Sequence, residues 1–122
     1  MRAALLCLGL IAAIACAAQP ALAKSAAKQG AHGAIALQRE TGRFGYVSNG
    51  ATSRAAKIEA LNLCGDPRCE VVVSFSNACG ALARGPKKYS PATGATRQEA
   101  ETKALRLCAA GECTVVAWAC TK

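Results

Sequence analysis

Six of the eight cysteines fall between residues 64 and 120, at spacings that admit two chemistries. Cys64 and Cys69 form one C-x4-C pair, and Cys108 and Cys113 form another. Four thiolates so arranged can hold a tetrahedral zinc ion. Alternatively, each pair closes on itself across a tight turn, because such a turn brings two Cα atoms within the roughly 7 Å limit for a disulfide. Cys79 and Cys120 complete an even set, and local bridges at the two pairs leave them to bond each other and join the two halves of the chain. An oxidising compartment favours the disulfides over zinc.

The other residues able to do chemistry are few. His32 is the one histidine, and Asp66, in a Cys-Gly-Asp-Pro turn, is the one aspartate. A Ser-His-Asp arrangement is therefore hard to assemble, and Asp66 reads as a turn stabiliser. Glu59, Glu70, Glu99 and Glu101 share no repeat position that would pair two carboxylates for acid–base work. Neither a phosphate-binding G-x-x-x-x-G-K-[ST] loop nor a dinucleotide G-x-G-x-x-G turn occurs. The chain is expected not to be an enzyme, and to use no cofactor and no metal.

The cysteine pairs sit inside a repeat. Gly50-Ala51-Thr52, Leu61-Asn62-Leu63-Cys64, Cys69 and Val71-Val72 return at an offset of 44 as Gly94-Ala95-Thr96, Leu105-Arg106-Leu107-Cys108, Cys113 and Val115-Val116. Each copy contains an amphipathic helix whose shared apolar positions are Ala56/Ala100, Ala60/Ala104, Leu61/Leu105, Leu63/Leu107 and Cys64/Cys108, giving one buried face. Thr96 and Glu99 form a capping box, with the Glu99 carboxylate returning to the Thr96 amide. Thr52 or Ser53 caps the first helix more weakly, because Ala55 stands where the second has Glu99. A turn and a Val-rich strand follow each helix: Glu70 to Ser76, and Thr114 to Ala119.

Ahead of the first helix, Ala34 to Leu37 and Arg43 to Val47 read as a hairpin around a Glu40-Thr41-Gly42 turn. Ahead of the second, Ala81 to Ala83, Gly85-Pro86 and Tyr89 to Pro91 repeat that scheme with a poorer second strand. The expected fold is α+β: two pseudo-symmetric β-β-α-β repeats, about 34–79 and 80–122, forming an antiparallel sheet with two helices on one face and stabilised by disulfides.

Residues 1–23 read as a cleaved signal peptide: a positive start at Arg2, an apolar run from Ala3 to Ala18, and the small-x-small site Ala21-Leu22-Ala23. The minor alternative is lipid attachment at Cys16. Residues 24–33 read as a flexible polar tail, and 34–122 as a single domain. Cleavage would leave 14 basic against 7 acidic residues, hence +7, and no transmembrane segment. Such a charge favours anionic partners. In a periplasmic or secreted protein these are envelope components rather than nucleic acid.

The stretches Phe75-Ser76-Asn77-Ala78-Cys79-Gly80-Ala81-Leu82-Ala83, Gly94-Ala95-Thr96-Arg97 with Glu99-Ala100 and Ala104-Leu105, and Val115-Val116-Ala117-Trp118-Ala119-Cys120 resemble a bacterial exported family, domain of unknown function 4189. The resemblance spans about Gly33 to Cys120. It implies a secreted, cysteine-bonded α+β domain and supplies no catalytic residue. The chain departs from the family at Pro86-Lys87-Lys88-Tyr89, where members often carry tryptophan- and glycine-rich text.

The expected function is a non-catalytic protein-interaction module, with binding of anionic envelope polymers as the alternative and a small hydrolase behind both. The candidate surface combines Arg43 and Tyr46 of the first hairpin with Lys87, Lys88 and Tyr89 of the second, where charge and stacking would hold an anionic or sugar-containing partner. The competing account is two ordinary hairpins, each with one aromatic ring packed inward.

Overall fold

The computed structural model describes residues 31–109 and 111–121. Within them the chain runs β1 (His32–Leu37), β2 (Phe44–Gly50), α1 (Ser53–Cys64), β3 (Glu70–Ser76), β4 (Cys79–Arg84), β5 (Tyr89–Gly94), α2 (Arg97–Cys108) and β6 (Thr114–Cys120). This is an α+β chain of two β-β-α-β units in succession. The signal peptide, Cys16 and residues 24–30 of the expected tail lie outside the described residues. His32 and Gly33, read as tail, instead open β1, where His32 pairs with Gly50 on one side and Ser76 on the other.

Both helices start on a threonine whose hydroxyl accepts a backbone amide: Thr52 from Ala55 at 3.0 Å and Thr96 from Glu99 at 3.1 Å. The Glu99 carboxylate returns to the amide of Ala95 at 3.1 Å, one residue before the Thr96 amide expected from the capping-box pattern. Each helix buries a stripe of three small residues four apart, Ala56, Ala60 and Cys64 in α1 and Ala100, Ala104 and Cys108 in α2. The expected wider stripe forms only in part: Leu61 packs, half-buried, against the α1 cluster. Leu63 and Leu107 remain 58 % and 52 % exposed, and Leu105 38 %. Residues 63 and 107 lie about 100° around the helix from the cysteines that follow them, and three small side chains bring each helix down onto a narrow line of contact.

The closeness of that contact is set by Gly45. A Cβ there would meet backbone atoms of Ala60, Leu63 and Cys64, so β2 touches the last turn of α1 main chain to main chain. Both helices end in a left-handed residue whose amide bonds back into the last turn, Gly65 at φ 77° and Ala109 at φ 58°. Glycine adopts this conformation freely, whereas alanine pays a steric penalty. Ala109→Gly should therefore raise stability by about 0.5–1 kcal/mol after the added freedom of the unfolded chain is set against the relief. A urea titration checks this, and an unchanged or lower midpoint would contradict it.

The strands divide into two antiparallel three-stranded sheets, ordered β2-β1-β3 and β5-β4-β6, rather than the one sheet expected. The central strands explain why. In β1, Ala34 and Ala36 face α1, while Ile35 and Leu37 face the other way, and all four are 0 % exposed. In β4, Ala81 and Ala83 face α2, and Leu82 faces away. Strands apolar on both faces need cover on both. The sheets supply it to each other: Ile35, Leu37, Phe75, Leu82, Ala117 and Ala119 form one cluster between them. The layers are thus helix, sheet, sheet, helix, with β1 against β4, β2 against β6 and β3 against β5.

Disulfides close Cys64–Cys69 and Cys108–Cys113, each with Cα atoms 6.3 Å apart, and Cys79–Cys120, with Cα atoms 4.0 Å apart. The C-x4-C pairs belong to the two opposite helix-covered clusters, so their sulfurs do not converge on one zinc site. One expectation is corrected. Cys79 opens β4 and Cys120 closes β6, so their bridge staples the second repeat to itself and does not join the two copies. Their counterparts in the first repeat are His32 and Ser76, paired across β1 and β3 in the same register and hydrogen-bonded through His32 Nδ1 and Ser76 Oγ at 3.0 Å.

Candidate functional site

The two hairpin tips meet at one end of the sandwich. The β1–β2 turn closes through Gln38 N to Arg43 O and Gly42 N to Gln38 O, both 2.8 Å, and the β4–β5 turn through Gly85 N to Lys88 O at 2.9 Å. A Cβ on Gly42, which has φ 83°, would lie 2.9 Å from the Tyr89 hydroxyl, so the tips touch there. Between them runs a groove of about 370 Å³ whose lining includes Thr41, Arg84, Lys87, Lys88 and Tyr89. Lys87, Lys88 and Tyr89 are therefore brought together. Arg84, which the sequence reading passed over, joins them, its guanidinium 5.9 Å from the Tyr89 ring centre.

Arg43 and Tyr46 go elsewhere. The Arg43 guanidinium lies by the C-terminal end of α1, 3.5 Å from where a Gly65 side chain would begin. A cation there meets the negative end of the helix. It also lies within reach of Asp66, whose carboxyl is held below the usual range by the Arg68 amide, which donates to it at 2.8 Å, and by the charges of Arg68 and Arg43. Asp66 is thus engaged in its turn. His32 and Asp66 stand at different ends of the fold's local structure, one at the start of β1 and the other in the turn after α1, and each is held by its own neighbours.

Tyr46 belongs to a second surface, formed where β2 lies against β6. Phe44 and Tyr46 alternate with Gly45 and Val47, which face α1, so both rings project from the opposite face of β2, stacked with centroids 6.4 Å apart. Trp118 of β6 borders the same groove from the edge of its sheet: its neighbours Ala117 and Ala119 face between the sheets, so its ring leaves by the α2 face beside Ala81, with the Arg97 guanidinium 3.8 Å over it and held in place by Glu101 at 2.8 Å. Phe44, Tyr46 and Trp118 are 36 %, 48 % and 39 % exposed and border a groove of about 420 Å³. The sequence reading left out Phe44 and Trp118. Their period-2 alternation with small residues was the signal, and only the pairing of sheets decides which alternating face is covered.

This groove lies where the repeats differ. Strand register makes Phe75 and Ala119 counterparts, opposite Gly33 and Gly80 respectively. Between β3 and β5, Phe75 fills the space between the sheets, and between β2 and β6 Ala119 leaves it open. Trp118 likewise stands where the first repeat has Ser74, and Tyr46 where the second has Pro91.

The family model for a domain of unknown function, DUF4189, matches residues 32–120, which is every strand and helix described above. The chain belongs to the DUF4189 family. A solved structure of similar fold is the NMR structure of Rv1813c from Mycobacterium tuberculosis, 33 % identical, covering 75 % of this chain and 76 % of that one with a TM-score of 0.61. No curated protein matches the chain. The three disulfides fit an oxidising environment. No helix among the described residues is long and apolar enough to cross a membrane.

Proposed function

We propose that this chain is an exported, non-catalytic binding domain that engages another protein through the aromatic groove between β2 and β6. The observation that carries this reading is that three of the chain's five aromatic residues stand exposed around one groove. Leaving a third to a half of each ring in water forgoes part of the about 1.5–3 kcal/mol that full burial of a large apolar side chain contributes. Aromatic residues with an adjacent arginine are the residue types that dominate protein interfaces. Export is supported by the bridges and by the segment 1–23, and the lack of catalysis by the separate engagement of His32 and Asp66.

Phe44→Ser combined with Tyr46→Ser should keep the domain folded at a stability loss of about 1–3 kcal/mol, because the rings are already 36 % and 48 % exposed and lose only their partial packing, and should abolish recovery of a specific partner from envelope or culture fluid. Recovery undiminished by the double variant would refute the reading. Binding of anionic envelope polymers is a second reading, favoured by the convergence of Arg84, Lys87 and Lys88 on the groove at the hairpin tips. Salt separates the two: polymer binding should weaken steeply as salt rises, and a contact centred on apolar rings should not.

A further inference from the structure

The charge in the hairpin-tip groove is unbalanced in a way that selects a ligand. Among the described residues Arg39 is paired with Glu70 at 3.1 Å and Glu40 with Arg68 at 2.8 Å, which neutralises those lining residues. Arg84, Lys87 and Lys88 have no carboxylate of the described residues within 4.0 Å. Three like charges thus line one exposed groove and give it a positive potential that attracts an anion.

We propose that this groove binds a phosphate monoester, carried either on a small sugar-like molecule or on a lipid headgroup. The inference rests on the second reading above and makes it specific. A monoester bears close to two negative charges at neutral pH and three acceptor oxygens, which suits three cations better than the single charge of a carboxylate does. The guanidinium of Arg84 offers a planar fork of donors, and the two lysines offer compact point charges. Thr41 adds a hydroxyl on the facing turn.

The Arg84 side chain and the backbone that carries the two lysines are held in advance of binding. Arg84 is the last residue of β4, lying against the Tyr89 ring, and the Gly85–Lys88 hydrogen bond fixes the turn that carries both lysines. Preorganised groups lose little freedom when the ligand arrives. At about 370 Å³ the groove is at the small end of ligand sites. It admits one ring-sized group beside the phosphate and leaves the rest of any longer molecule in solvent.

Glucose 6-phosphate titrated into the isotope-labelled protein should move amide resonances of Thr41–Gly42 and Arg84–Tyr89 saturably, and glucose should not. Vesicles with phosphatidic acid, against phosphatidylcholine alone, test the lipid source by co-sedimentation; binding of either phosphate probe supports the proposal. Arg84→Gln and Lys87→Gln should each weaken binding about tenfold, as loss of one charge-assisted hydrogen bond does. The triple variant with Lys88→Gln should keep its melting temperature and lose binding. If neither probe binds, but the wild type is retained on heparin and the triple variant is not, the monoester proposal is overturned and the polymer reading stands. If the triple variant is retained as well, both fall.

Discussion

Phe75→Ala is expected to cost about 3–5 kcal/mol, the usual loss for truncating a buried aromatic ring. Phe75 is 7 % exposed and packs over both Gly33 and Gly80, the matching glycines of the two central strands, where any side chain would collide with its ring. Among the described residues it is the only aromatic one fully buried between the sheets, with Tyr89 partly buried against the same cluster, so its removal opens the cluster that both repeats share. In a domain of this size each kcal/mol moves the melting temperature by about 4–8 °C. The variant should therefore melt well over 10 °C lower, with the urea midpoint falling in parallel. A loss below about 1 kcal/mol would mean that the two repeats are held together by something other than this cluster.

The second large effect separates the three bridges. Replacing Cys79 and Cys120 together by serine should cost about 4 kcal/mol, because the bridge closes a loop of 41 residues. Removing Cys64–Cys69 or Cys108–Cys113 should cost about 2 kcal/mol, since each closes a loop of only 5. The first repeat holds the same place with the His32–Ser76 hydrogen bond, worth about 1 kcal/mol. Unfolding of the three double-serine variants in urea would check the ranking. Equal losses for the long and short loops would contradict it.

Much of this fold was legible because the residues that define it act locally. Thr52 and Thr96 mark the helix starts, and the C-x4-C spacing specifies its own bridges. What the sequence hid depends on how separate segments meet. The β1–β2 turn has six residues, 38–43, and the β4–β5 turn four, 85–88, so the central strands repeat at an offset of 47 while the helices repeat at 44. That shift, completed by an irregularity in β2 beside His32, concealed that Cys79 corresponds to His32. The sequence reading therefore took the last bridge for a link between copies. The splitting into two sheets was written in Ile35, Leu37 and Leu82, which make the central strands apolar on both faces. The site was half legible: Lys87, Lys88 and Tyr89 do converge, whereas Arg43, the last residue of the β1–β2 turn, lies by the end of α1, and Tyr46 projects from the face of β2 opposite α1, toward β6.

The claim that the aromatic groove is the working surface is tested most directly by placing a photo-reactive amino acid at position 46 and, in a second protein, at position 58. Both positions are about half exposed, but Ile58 lies on α1, away from the groove. Irradiation in the producing cells should give one discrete cross-linked protein adduct from position 46 and none from position 58. Adducts of equal yield from both positions, or from position 58 alone, would contradict the account.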